Sequence, residues 1–458
     1  MACLDACDCI EIQHVLGSKD VVIDLPLVME PALWPGCCIY RVPKKLRKVN
    51  KEAYTPKFVS IGPFHHGRKE LRDMEMYKLR YFKDFLYRTK KCQEDFRNII
   101  AENEVQIRHS YSEGSRLDSK DFVKMILLDA IFMIEVLLRR SGKNDENELF
   151  REKKNDYISS QPWLEIGIAH DLILLENQIP FLVLEEIYTF AFNERIQNKK
   201  ATFLELSLIY FTGENQPWFK IKDVKHLTDL LRYLFYSASD LKETRGEVRK
   251  LSCATKLDEA GLKFKPSRNG RLLDIKFKGN KCLKYWPCFN LSWLLACLPC
   301  LKRFSHLERM QCILEVPPFE IDDNTEVRFR NLMALEQCHY PFQAYICSYV
   351  WLLDDLIDSE KDVDLLADKE VIVNNIGSNT AVATLINKLC LEITLSGSCY
   401  SKFQEIHEYL DNPWNRAMAT MKSVYFRDFW RGTGSVVGLI LLGLTFWNFV
   451  KPFVMKKI

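Results

Sequence analysis

Apolar residues along this chain recur mostly at helical spacings. After Gly67, the stretch LRDMEMYKLRYFKDFLYRT sets Met74, Tyr77, Tyr81 and Phe85 at intervals that share one side of a helix. Lys78, Arg80, Lys83 and Arg88 fall largely on the other faces, which predicts an amphipathic surface helix. DFVKMILLDAIFMIEVLLRR is apolar nearly all round and predicts a central helix. Asp129 inside it requires a partner, because burying an unpaired carboxylate is costly. IAHDLILLENQIPFLVLEEIYTF has the same character but is broken by Pro180, with Glu176, Asn177 and Gln178 at the join. A polar knot within a core follows. KHLTDLLRYLF, TEVRFRNLMALEQC, YICSYVWLLDDLI and AVATLINKLCLEITL extend the helical set, and Glu326 and Arg330 are spaced for an i,i+4 ion pair.

Two regions break the helical rhythm. IYRVPKKLRKVNKEAYTPKFVSIGPFHHG carries Pro43, Pro56 and Pro63, which forbid one continuous helix and favour an extended, turn-rich segment docked through Val59 and Ile61. GLKFKPSRNGRLLDIKF alternates about Asn269 and Gly270, a hairpin signal, and ILEVPPFEI from about Ile313 to Ile321 would add strands to the same sheet.

Residues 432–450, GTGSVVGLILLGLTFWNFV, carry no charge and approach the roughly 20 residues an α-helix needs to cross a bilayer. Trp430 and Trp447 stand near its ends, and basic residues on both flanks leave the orientation open. The expected fold is therefore mainly α: a large multi-helix body with a small antiparallel β hairpin or sheet and a C-terminal transmembrane helix. The expected plan is a mobile tail over 1–38, a helical domain over 39–430, a membrane span over 432–450 and a short basic tail over 451–458.

Composition narrows the function classes. In 458 residues, 47% are hydrophobic and 27% charged, which argues for a folded globule. The net charge of +3 arises from 64 basic and 61 acidic residues mixed along the chain, so no footprint for nucleic acid appears. Sixteen cysteines follow an acidic start with no apolar signal core, which favours reduced thiols unless an anchor carries the body into an oxidising compartment. Cys3, Cys7 and Cys9 are candidates for lipidation.

Candidate chemistry is sparse. His65 and His66 are adjacent in an extended segment and point to opposite faces, so they do not share one metal easily. Asp129, His170, Asp171 and Glu176 could form an acid/base or metal cluster between central helices, but the Glu-x-x-His spacing is missing. A buried hydrogen-bond network, reached by Arg330 or Asn331, accounts better for them. Asp362 to Glu370 lacks the glycine of a calcium loop and reads as a solvated helical face. Cys297 and Cys300 make one C-x-x-C among Cys282, Cys288 and Cys312, without a second pair at zinc-ribbon spacing. Nucleophile elbows, phosphate loops and dinucleotide fingerprints are missing, so no catalytic residue, metal or cofactor is assigned.

Several strings together resemble the plant domain of unknown function 247 family: VPKKLRKVNKEAYTPKFVSIGPFHHG, KMILLDAIFMIE, DLILLENQIPFLVL, ATKLDEAGLKFK with LLDIKF, and TEVRFRNLMALEQC. The resemblance covers about residues 39–430 and implies a mostly helical body, a C-terminal membrane helix and no established enzymatic activity. Some relatives look like recognition components of grass self-incompatibility, a role that belongs to particular members. The chain departs from the family twice. Residues 279–312 are inserted between two strands, as a loop, a second membrane-touching element or an unspliced intron; they hold the sequon at Asn290. Arg427 to Trp430 replace a customary proline-tryptophan pair.

Together these readings lead to a single-pass membrane protein without enzymatic activity, whose body meets a protein or peptide partner. The alternative is an enzyme using the Asp129, His170, Asp171 and Glu176 region.

Overall fold

The computed structural model of the chain describes residues 34–141, 156–197, 201–213, 223–235, 251–267, 274–278 and 312–395, with isolated positions at 221, 271, 272 and between 412 and 448. Cys3, Cys7 and Cys9, the Asn269-Gly270 turn, residues 279–311 with Asn290 and Cys282 to Cys300, Arg427 to Trp430 and the basic tail lie outside the described residues.

The first elements are α1 (Lys44–Val49), α2 (Asp73–Thr89), α3 (Gln93–Glu102), α4 (Glu104–His109) and α5 (Ser119–Ser141). Next come α6 (Tyr157–Ser160), α7 (Pro162–Asp171), α8 (Phe181–Gln197), α9 (Phe203–Thr212) and α10 (Leu227–Phe235). The apolar circumference of α5 is explained by its neighbours: α2, α3, α8 and α9 all pack on it. From Met125 to Arg139 every residue except Leu128 is buried. Tyr81 of α2 stacks on Phe132, and Phe85 meets Phe96 and Phe192, so aromatic rings fill the angles between these helices.

A second hydrophobic core gathers α11 (Ala254–Glu259), β1 (Leu262–Pro266), β2 (Lys276–Lys278), β3 (Cys312–Val316) and β4 (Phe319–Ile321). It also takes α12 (Thr325–His339), α13 (Tyr345–Leu356), α14 (Glu360–Asp368), β5 (Ile372–Asn374) and α15 (Asn379–Leu389). Between the two cores lies the segment that starts at Cys37. Its Tyr40, Val42, Leu46, Ala53 and Tyr54 pack with Leu175 and with Ala334 and Leu335 of α12.

The strands correct the hairpin expectation. β1 and β2 do not pair with each other; β3 lies between them, parallel to β1 and antiparallel to β2, giving a mixed sheet of order β1-β3-β2. The reason is visible in β3, whose Cys312, Leu314 and Val316 alternate inward and suit a strand paired on both sides. The lysine-bearing β1 and β2 suit edges. β4 leaves that sheet and pairs in parallel with β5, which the chain's pattern did not announce.

The expected C-terminal transmembrane helix is not supported. Among the described residues no helix is long and apolar enough to cross a membrane.

Two glycines hold the extended segment against the helices. Gly62 has φ +71, and a Cβ there would stand 2.7 Å from the carbonyl oxygen of Gln178. Gly167 of α7 faces the Phe58 ring, which a Cβ would meet at 2.3 Å. Gly62→Ala and Gly167→Ala should each lower stability by about 1–3 kcal/mol in urea unfolding. Gly114→Ala, where nothing lies within 4 Å, should leave the midpoint unchanged. Equal midpoints for all three would contradict this packing.

Candidate functional site

The helix ends at Asp171, nine residues before the expected break at Pro180, and residues 172–180 form an irregular loop between α7 and α8 whose side chains are nevertheless buried. A buried loop leaves backbone groups in need of partners. The polar residues of LLENQIP supply them. Asn177 accepts from the Ile61 amide at 2.7 Å and donates to the carbonyls of Val59 and Asp171. Gln178 donates to the carbonyls of Leu172 and Leu174 and accepts from the Leu227 amide, which ties the loop to the start of α10. Asn331 of α12 accepts from the Leu175 amide and donates to the Ala53 carbonyl, so it holds two segments of the seam at once.

The carboxylates are used in the same way. Asp171 Oδ2 accepts from the amides of Phe58 and Val59 at 2.6 and 2.8 Å, and both its oxygens lie within 3.1 Å of the Lys57 amide. Burial pushes this carboxyl up to about 6, against the pull of those three amides, which keep it ionised at neutral pH. Glu176 accepts from the Val42 amide at 2.7 Å and pairs with Arg41 and Arg47. His65 Nε2 lies 3.1 Å from its other oxygen. Burial would raise Glu176, yet the His65 contact, the Val42 amide and Arg47 outweigh it and hold the carboxyl down at about 2. Burial also lowers His65 below the ordinary imidazole range.

Asp129 finds its partner in Lys78. The ammonium donates to Asp129 Oδ1 at 2.5 Å, to the Ser60 carbonyl at 2.6 Å and to Glu75 at 2.6 Å, so all three of its protons are engaged. Gly62 donates its amide to the other Asp129 oxygen at 2.9 Å. Burial disfavours the ammonium, but Asp129 and Glu75 more than compensate and keep Lys78 charged. This corrects the expectation that Lys78 faces outward: its side chain is fully buried.

Of the four residues proposed for an acid/base cluster, Asp129, Asp171 and Glu176 therefore reach the same segment, residues 41–62, at separate points; the expected extended segment contains α1 and a 3-10 turn at Glu52–Tyr54. His170 is half-buried and near Arg328 and Asp322 instead. Arg330 makes the expected bond to Glu326 at 2.8 Å and does not join the knot. His65 is buried and His66 exposed, but they lie in a turn and not in the expected extended segment. Cys312 opens β3 and is buried. Asp362 departs from the solvated-face reading: it is buried, caps its helix through Ser359 and accepts from the Thr255 amide. Among the described residues no group of three or more His, Cys, Asp or Glu side chains could hold a metal ion.

Sequence reasoning missed the cations. Arg41 and Arg47 sit in a string whose basic residues look solvated. The buried pair Arg232–Glu336, 2.8 Å apart, was missed as well; its only signal is an arginine within the apolar run LLRYLF. Glu336 also accepts the Ile346 and Cys347 amides in the first turn of α13, where a carboxylate is favoured.

The interlocked segments are the strings that carry the resemblance, and the plant family DUF247, described as plant protein of unknown function, matches residues 39–444. The chain belongs to this family. It is similar to UPF0481 protein At3g47200 of Arabidopsis thaliana, 28% identical over 469 residues that cover 94% of this chain and 88% of the relative. It is also similar to Putative UPF0481 protein At3g02645 of the same plant, 22% identical over 507 residues that cover 89% of this chain and 88% of that protein. No solved structure matches the chain.

The depressed Glu176 carboxyl has a definite pH signature. Its folded value near 2 lies below the ordinary 4.5, so it stabilises the fold above pH 4.5 and loses that contribution as the pH falls toward 2. Glu176→Gln should cost roughly 3 kcal/mol at neutral pH, and the gap to the native chain should close over that interval. A gap that stays constant across it would contradict the ion-paired assignment.

Proposed function

We propose that this family member is a non-enzymatic interaction protein, whose body presents a surface to a protein or peptide partner. The observation that carries this reading is the use made of the conspicuous acids: Asp129, Asp171 and Glu176 are buried, and each accepts from backbone amides of the extended segment. A general acid or base must instead reach a substrate in a concave site. A groove of about 380 Å³ lined by Arg140, Ser141, Pro162, Glu165, Ile166, Ile209 and Gly213 contains none of the three.

On this reading, conservative substitutions of the acids act through folding alone. In a plant line lacking the protein, the biological activity restored by Asp129→Asn, Asp171→Asn and Glu176→Gln should track the folded fraction of each variant. A variant that keeps native melting yet restores nothing would assign that carboxylate to chemistry and sink the proposal.

A further inference from the structure

The solvent side of α2 combines two properties that its role in the core does not explain. Met76 is 70% exposed, Leu79 46% and Tyr87 78%. Exposed Arg72, Arg80, Lys83 and Lys90 fall on the same side. At 100° per residue all seven positions lie within an arc of about 100°, so they form one stripe along the helix. Nearby carboxylates are engaged by other cations: the partly exposed Glu75 pairs with Lys78 and Asp84 with Arg139. Among the described residues no carboxylate forms an ion pair with the four cations of the stripe, and Asp73 is the acid at its edge.

Helix stability accounts for part of this pattern only. Lys90 stands at the C-terminal cap, where a cation complements the helix dipole. Arg72 occupies the opposite end, where a cation is unfavourable, and Arg80 and Lys83 lie in the middle, where the dipole has little effect. The three apolar side chains gain nothing from water. An amphipathic partner that brings carboxylates to the cations and apolar side chains to Met76, Leu79 and Tyr87 satisfies both halves of the stripe.

We propose that the outer face of α2 docks an acidic segment of a partner protein bearing aliphatic or aromatic side chains. The inference rests on the interaction reading above and names its surface and the chemistry of its partner.

The test selects a random displayed peptide library on the full chain. The enriched peptides should be rich in Asp and Glu interleaved with Leu, Phe or Trp, and their binding should weaken with added salt. Arg80→Glu combined with Lys83→Glu should weaken it by about tenfold or more, as should Met76→Ser combined with Tyr87→Ser, with native melting in both. Enrichment of basic peptides, no enrichment, or equal binding by the variants overturns the proposal. So does sedimentation with phosphatidylglycerol vesicles in place of peptide binding, since the face would then meet a lipid surface. Photo-crosslinkers placed on other exposed faces separate the two claims. If these capture a discrete polypeptide while α2 selects nothing, the docking face fails and the broader interaction reading stands.

Discussion

The structure depends on an exchange between two segments that could not be buried separately. Residues 41–62 contain prolines and too little regular structure to satisfy their own amides, while the end of α7 and the loop after it carry Asp171, Glu176, Asn177 and Gln178 into an apolar interior, and α5 adds Asp129. Each supplies what the other lacks. Asp171 takes the amides of Lys57, Phe58 and Val59, Asn177 takes Ile61, Glu176 takes Val42, and Asp129 takes Gly62. A buried donor or acceptor left without a partner costs about 1–3 kcal/mol, so this set of bonds fixes one register between the segments.

That exchange lies where the two hydrophobic cores meet. Asn331 and Gln178 extend it to α12 and α10, and the pair Arg232–Glu336 joins α10 to α12 again. A buried ion pair is weak evidence for stability by itself, because desolvation offsets much of its attraction. Its geometric consequence is firmer. Charged groups that need particular donors tolerate few relative placements of the helices that bear them.

The same arrangement shapes the functional reading. Lone pairs engaged by fixed amides are poorly placed to move a proton to a substrate, and the acids meet residues 41–62 at separate points. At the surface, α2 shows an apolar and cationic face that the other described residues leave exposed.

The chain's own pattern determined much of the helical body. The all-round apolar run around Asp129 and the Glu326–Arg330 pair follow from local spacing and chirality. Tertiary structure decided the rest, because those outcomes depend on residues far away in sequence. Lys78 reads as a surface lysine until Asp129, on a different helix, draws it inward. The Asn269-Gly270 signal favours a hairpin, but β3 is a better central strand than either arm and enters between them. Periodicity records which side of an element is apolar; only the assembled fold determines which distant group meets it.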